Sequence, residues 1–404
     1  MDVLVWFIVR QWMHLRRTGP VPHLIYIALS VPIYVLIVMV WAGGRQAVDR
    51  QTLYYLASVL FPVLAFKLGC LGLYPLLSLF ERLLRMGKSK SAPSSASARE
   101  PTSGIGRRVF LHRSALLLTG LPGMALVYGI FRGASQLTVF RKNIHFPELP
   151  DGFDGLRIVQ LSDLHTGSFL NDELIRRTIA QVEALKPDLI CFTGDLVNNF
   201  SSEATPFIPL LQKLKAPMGV LSILGNHDYG DYVRWQDPVA RQANFEEMLA
   251  IHRRLGWRLL RNQHVLLERE GTTLPVIGVE NWSQFSRFPR YGDLPKAARG
   301  TGKFPFSILL SHDPSHWEGQ VVDQYPHIGL TLSGHTHGMQ FGVDIPGFKW
   351  SPVQWVYRQW AGLYQHQQQR LYVNRGLGFI GYPGRVGIWP EISLITLNKS
   401  PQLL

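Results

Sequence analysis

At 404 residues the chain exceeds the ~250–300 residues at which one hydrophobic core stops growing, so a domain of ordinary size plus an appendage is expected. The net charge of +13 would suit a nucleic-acid binder if it were spread evenly, but residues 1–135 carry 15 Lys and Arg against 4 Asp and Glu, leaving 26 against 24 for the rest. The basicity belongs to the N-terminal segment, nucleic-acid binding is not expected, and two cysteines, Cys70 in an apolar run and Cys191 in an expected strand, exclude a disulfide framework or a thiolate metal site.

In chain order, three runs are apolar and long enough to cross ~30 Å of hydrocarbon: residues 24–41, 53–80 and 114–131. Pro62, Pro75 and Lys67 interrupt the second. Lys67 can snorkel, face a neighbouring span or mark a break into two short segments.

The stretch 81–113 carries Arg82, Arg85, Lys88, Lys90, Arg99, Arg107, Arg108 and Arg113 against Glu81 and Glu100, which predicts a cytoplasmic loop. Its Ser/Ala-rich piece, Ser89 to Ser103, reads as a flexible linker. With the N-terminus inside and about three spans, everything after Phe131 is expected outside the cytoplasm, in a multi-pass inner-membrane protein. Arg107-Arg108-Val109-Phe110-Leu111 is similar to a twin-arginine export signal, although two ordinary positive-inside arginines explain it as well. No small-x-small cleavage pattern follows the third run, so the domain is expected to remain tethered. These features divide the chain into a membrane segment, 1–135, and a domain, 136–404.

From Leu156 strand-sized apolar runs alternate with helical patterns: a strand over 157–161, a helix near 173–184, strands over 189–192 and 219–224, and a helix near 206–214 between the last two. Each strand runs into a polar cluster, and loops beyond the carboxyl ends of strands are where α/β sheets gather their sites. The clusters are Asp163-Leu164-His165, Gly194-Asp195, Gly225-Asn226-His227-Asp228, Ser311-His312-Asp313 and Gly334-His335-Thr336-His337. Singly, each is explained by a turn or a helix cap. Together Asp163, His165, Asp195, Asn226, His312, His335 and His337 supply carboxylate, amide oxygen and imidazole, a donor set for Mn²⁺, Fe²⁺ or Zn²⁺, and no thiolate.

This ordered series resembles that of the calcineurin-like metallophosphoesterases, and its bacterial membrane-associated branch most of all; the likeness runs from about Leu156 to Leu397. Asn374-Arg375-Gly376-Leu377-Gly378, Pro383-Gly384-Arg385 and Pro390-Glu391 also look like that branch, whereas Met339 stands where a second glycine is usual. The resemblance implies a four-layer α/β/β/α domain and a metal-dependent phosphoric ester hydrolase with two divalent ions. It assigns the first ion to Asp163, His165 and His337, the second to Asn226, His312 and His335, and Asp195 to both. It also implies that His227 stabilises the transition state or protonates the leaving oxygen, with Asp228 orienting it; a purely structural His227 is the alternative.

The expected substrate is a phosphodiester or pyrophosphate, lipid-linked or of the envelope. The alternatives are a nucleotide-linked lipid A precursor cleaved at the cytoplasmic face, or a non-catalytic membrane sensor or scaffold. The aromatic run Trp350, Trp355, Tyr357, Trp360 and Tyr364 reads either as a packed loop or as a membrane-interface belt.

Overall fold

The computed structural model describes residues 1–12, 24–28, 30–31, 33–35, 38, 50–86 and 107–399. The expected linker Ser89 to Ser103 and the end of the first expected span lie outside them. The chain forms two compact units, Met1–Ile130 and Phe131–Leu404.

Among the described residues two helices are long and apolar enough to cross a membrane, Tyr54–Leu83 in the first unit and Val109–Ser135, which runs to the end of that unit and five residues beyond. The first expected span, 24–41, lies partly outside the described residues, so two of the three expected spans are seen among them. A further apolar helix, Asp2–Trp12, packs Val5, Ile8, Val9 and Trp12 against Cys70 and Ala115. Its first residue settles the Lys67 question. The Lys67 ammonium is fully buried and paired with the Asp2 carboxylate, which also accepts from the Tyr26 hydroxyl at 2.9 Å. Lys67 therefore faces a neighbouring helix, with the rings of Tyr26 and Tyr34 5.5 and 5.9 Å from its nitrogen.

The second unit is built on two six-stranded mixed sheets. The first has the order β1 (Thr138–His145), β14 (Glu391–Asn398), β2 (Leu156–Leu161), β3 (Leu189–Phe192), β4 (Val220–Ser222), β5 (Arg258–Leu259). The second has β12 (Gly362–His366), β13 (Gln369–Val373), β9 (Ile328–Ser333), β8 (Ser307–Leu310), β7 (Thr272–Gly278), β6 (Gln263–Arg269). Facing residues of both sheets, among them Ile158, Leu189, Leu221, Val276, Ile308, Leu330 and Tyr372, form one buried core.

Helices cover the outer faces and complete the α/β/β/α layering. The helix Glu173–Leu185 buries Leu174, Ile175, Thr178, Ile179, Val182 and Leu185, the three-and-four spacing of a single face. Pro238–Leu255 begins at Asp237, whose carboxylate accepts from Ala240 N at 2.7 Å, and ends at Gly256 in the left-handed conformation. β1 was not anticipated from its sequence. It joins the sheet only through β14, in parallel, from Thr138↔Glu391 to His145↔Asn398.

The parallel strands β2, β3, β4, β8 and β9 are fully or almost fully buried and rich in Leu, Ile and Val, as strands covered on both faces must be. Their carboxyl ends deliver all five polar clusters to the same edge of the sandwich.

Candidate metal centre and active site

Asp163, His165 and His337 form one group and Asp195, His312 and His335 another; within each group the ligand atoms lie within 4.8 Å of one another. His165 Nε2 is 3.0 Å from His337 Nε2, which lies 3.2 Å from Asp163 Oδ1. His312 Nε2 is 3.1 Å from Asp195 Oδ2 and 3.3 Å from His335 Nδ1. The same Asp195 oxygen is 3.5 Å from His165 Nε2, so this carboxylate stands between the groups. Asn226 Oδ1 joins the second at 2.8 Å from His335 Nδ1, and its amide nitrogen donates to the Tyr232 hydroxyl at 2.9 Å, which keeps the oxygen turned inward.

The donor set fits cations. Ring nitrogens converge on one another in pairs, an arrangement that two bare lone pairs disfavour and that a shared cation or proton relieves. The outer nitrogens of three rings are engaged by oxygen: His165 Nδ1 with Asn198 Oδ1 at 3.1 Å, His312 Nδ1 with Thr193 O at 2.7 Å, and His335 Nε2 with Tyr357 Oη at 2.8 Å. Such contacts orient a ring and raise its basicity as a ligand. Behind the fourth ring, Arg385 Nη2 lies 3.2 Å from His337 Nδ1.

Burial dominates the electrostatics. It pushes His165 down to about 3 and His335 down to about 4, against the opposing pull of nearby carboxylates. His312 is also desolvated, yet Asp195, Asp163 and the Thr193 carbonyl raise it to about 10. Asp195 is held well below the usual carboxylate range by His312, His227 and His165, despite complete burial. A site that leaves His165 and His335 neutral and Asp195 charged is poised for cations.

The backbone at these positions is unusual: φ is +52° at Asp163, +48° at His165, +57° at Asp195, +72° at His335 and +50° at His337. Left-handed backbone costs a non-glycine residue roughly 1–2 kcal/mol. Met339 also sits there, at φ +52°, which explains why glycine suits that position; its side chain reaches the rim of the site.

His227 lines the cavity. Its Nδ1 is 2.6 Å from the Asn198 carbonyl, and its N–H donates to Asp195 Oδ1 at 2.9 Å. The expected pairing with Asp228 is corrected, since both Asp228 oxygens face the backbone. Oδ2 accepts from Asp195 N and Gly225 N at 2.9 Å each, and Oδ1 from Leu196 N at 2.8 Å and Val197 N at 3.3 Å. Asp228 ties the Asp195 loop to the Asn226 loop. Burial and the Asp195 charge raise its carboxyl to about 7, against the Gly225 and Val197 N–H groups.

Reasoning from sequence missed Tyr357 and Asp313 as parts of the site. The Tyr357 hydroxyl is 2.8 Å from His335 Nε2 and donates to Asp313 Oδ2 at 3.1 Å, linking ring to carboxylate. Desolvation and that carboxylate raise the phenol far above its usual range, so it stays protonated. The position of Asp313 directly after His312 was the available signal. The stretch 374–378 forms the back wall: Gly376, at φ +75°, passes so close that a Cβ would lie 2.7 Å from that of Asp163.

Residues 156–339 match the calcineurin-like phosphoesterase family, and residues 1–134 match a family described as the transmembrane domain of a probable calcineurin-like phosphoesterase. A zebrafish (Danio rerio) transmembrane protein with metallophosphoesterase domain is 31% identical over 82% of this chain and 73% of its own length. The chain is a membrane-associated calcineurin-like phosphoesterase. The uncharacterized Bacillus subtilis metallophosphoesterase YkuE is 35% identical over 62% of this phosphoesterase and 82% of its own length. A Chlamydia trachomatis protein named UDP-2,3-diacylglucosamine pyrophosphatase LpxG is 26% identical over 66% and 91%.

The mouth of the phosphoesterase site is a cavity of about 210 Å³, lined by His227, Arg287, Phe288, Met339, Val353 and Tyr357 among others. Arg287 is exposed, with its guanidinium 4.8 Å from the Phe288 ring centroid.

Proposed function

We propose that the enzyme hydrolyses phosphodiester or pyrophosphate bonds of a lipid-linked or envelope substrate, with residues 1–135 as its membrane segment and the domain from 136 onward catalytic. The observation that carries the reading is the pair of buried donor groups sharing Asp195 at the base of a small cavity. When bound there, two divalent ions supply neutralisation of phosphoryl charge and a lowered pKa for the attacking water. Asp163, His165 and His337 would hold one, and Asn226, His312 and His335 the other.

The protein's own contribution is positional. Asp195 sets the spacing of the two groups, and Asp228 holds the two loops that carry Asp195 and Asn226. Because Nδ1 of His227 is engaged by Asn198, Nε2 is the nitrogen left to protonate a leaving oxygen. Arg287 at the mouth suits an anionic substrate.

Placement of the domain follows from the loop directly before the last span. If the basic 81–113 stretch is cytoplasmic, that span carries the domain to the extracytoplasmic side of the inner membrane whatever precedes it. The name of the LpxG relative favours a second reading, a nucleotide-linked lipid as substrate, which for this chain is the reading with the domain at the cytoplasmic face. A reporter active only outside the cytoplasm, fused after Leu404, is expected to be active; activity of a cytoplasmic reporter alone would select the second reading. Full-length protein loaded with Mn²⁺ should cleave a chromogenic phosphodiester, and failure with every divalent metal would favour a sensor or scaffold.

A further inference from the structure

The hairpin of β10 (Val343–Ile345) and β11 (Phe348–Trp350) is built inside out. Residues paired across an antiparallel ribbon share a face, so Val343 with Trp350 and Ile345 with Phe348 form one side, and Asp344 with Lys349 the other. In a water-soluble domain the apolar side would lie on the core. Here the charged side makes the contacts to the rest of the domain: the half-buried Asp344 pairs with Arg375, while Lys349, itself exposed, donates to the Ala361 carbonyl and lies 5.0 Å from the Trp360 ring centroid. The apolar side is left to solvent, with Ile345 56% and Phe348 55% exposed on either side of the Pro346-Gly347 turn.

The patch continues beyond the hairpin. Trp350 meets Trp355 edge to face at 6.2 Å between ring centroids, and Trp355 is 74% exposed. The same loop contributes Val353 to the catalytic cavity, and Met339, 51% exposed, lines that cavity too. Apolar surface therefore runs from the mouth of the site to the hairpin tip, with the exposed Arg358 in the Trp355 loop and Arg287 at the mouth. Tyr357 and Trp360 are buried, so the aromatic run divides into an inward half that packs and an outward half that does not.

We propose that Ile345, Phe348 and Trp355 form a lipid-binding surface that seats the mouth of the catalytic site on a bilayer. The occupant follows from three observations. The chain carries membrane-crossing helices, so a bilayer is always within reach. The patch presents Trp, Phe and Ile on a turn tip, residues that enter the headgroup boundary, and its arginines match anionic headgroups. It is also continuous with the cavity, so a lipid-linked phosphoester could pass from bilayer to site without crossing water. The last point rests on the substrate reading above; the orientation of the surface does not.

The test uses full-length protein in phosphatidylcholine–phosphatidylglycerol nanodiscs. Phe348→Cys carries an environment-sensitive fluorophore; Cys70 and Cys191 are both buried. Nitroxide-bearing lipids should quench it about threefold more than the same label on Glu270→Cys, at the exposed β6–β7 turn. Equal quenching at the two sites, or quenching lost on dilution to monomers, would overturn the proposal. Ile345→Asp and Trp355→Asp should lower the rate on a membrane-embedded phosphoester about tenfold and leave that on a water-soluble ester unchanged. Strong quenching at 348 in a protein that cleaves no lipid-linked ester would uphold the surface and refute the substrate reading instead.

Discussion

Asp228→Asn isolates the contribution of one side chain that touches none of the seven candidate ligand atoms. Above its raised pKa of about 7, where the melts are to be run, the carboxylate accepts four backbone N–H groups, two on each oxygen. An amide keeps one acceptor and turns a donor toward the other pair. The less damaging orientation places NH₂ against Leu196 N and Val197 N, because the latter bond, at 3.3 Å, is the weakest of the four. Two buried donors are then orphaned at roughly 1–3 kcal/mol each, so with the long bond at the low end the total is about 3 kcal/mol. For a domain of this size that lowers the unfolding midpoint by about 6–12 °C. The loops bearing Asp195 and Asn226 also lose their tie, so turnover should fall at least ~10-fold at temperatures where the protein is folded. Thermal unfolding of the full chain in detergent, with metal content and chromogenic diester hydrolysis measured on the same samples, decides it. A midpoint within about 2 °C of the parent, with full metal content, would refute the reasoning.

Asp195→Ala should lose bound metal and hydrolysis together, whereas His227→Ala should keep its metal and lose about 10²- to 10⁴-fold in turnover; metal-depleted His227→Ala protein would overturn the role given to that ring. In the membrane unit, Lys67→Met should cost about 2 kcal/mol, below the value for a fully buried pair because Asp2 is 23% exposed, and Asp2→Asn/Lys67→Met should recover most of it in detergent melts. His252 is fully buried beside the Ser222 hydroxyl at 3.0 Å and its pKa is depressed to about 4 by desolvation. The unfolded chain takes up that proton near pH 6.5 and the folded chain only near 4, so stability is intact above 6.5 and falls by about 3 kcal/mol as pH drops to 4. His252→Leu should remove that part of the acid dependence, measured with chelator present so that metal release does not contribute.

The candidate site was legible because its residues come in short clusters, each just after a strand that is continuously apolar. Strand ends in an α/β sandwich share one edge, so order along the chain was enough to suggest proximity in space. What was not legible depends on contacts far apart in sequence. Tyr357 reads as one aromatic among five, and only the fold brings its hydroxyl between His335 and Asp313. Asp228 looks like the partner of its neighbour His227 until the loop from 194 to 197 is seen wrapped around its carboxylate. β1 carries Arg141, Lys142 and Asn143 in its middle and lacks a clear alternation, and its strand state comes from pairing with β14 some 250 residues later. Lys67 left three options open because its partner lies at the other end of the membrane unit.

The left-handed backbone at five of the candidate ligands means that this fold is selected against its own stability at the site. Glycine at any of them would relax the strain, although at Asp163 or Asp195 it would also strip the acceptor from the His335 or His227 backbone N–H. A screen of random variants that rewarded heat resistance alone should therefore accumulate glycines at 165, 335 and 337, and would converge on robust, inert proteins. Persistence of the histidines there through long evolutionary drift would have to be enforced by catalysis, generation after generation, rather than by folding.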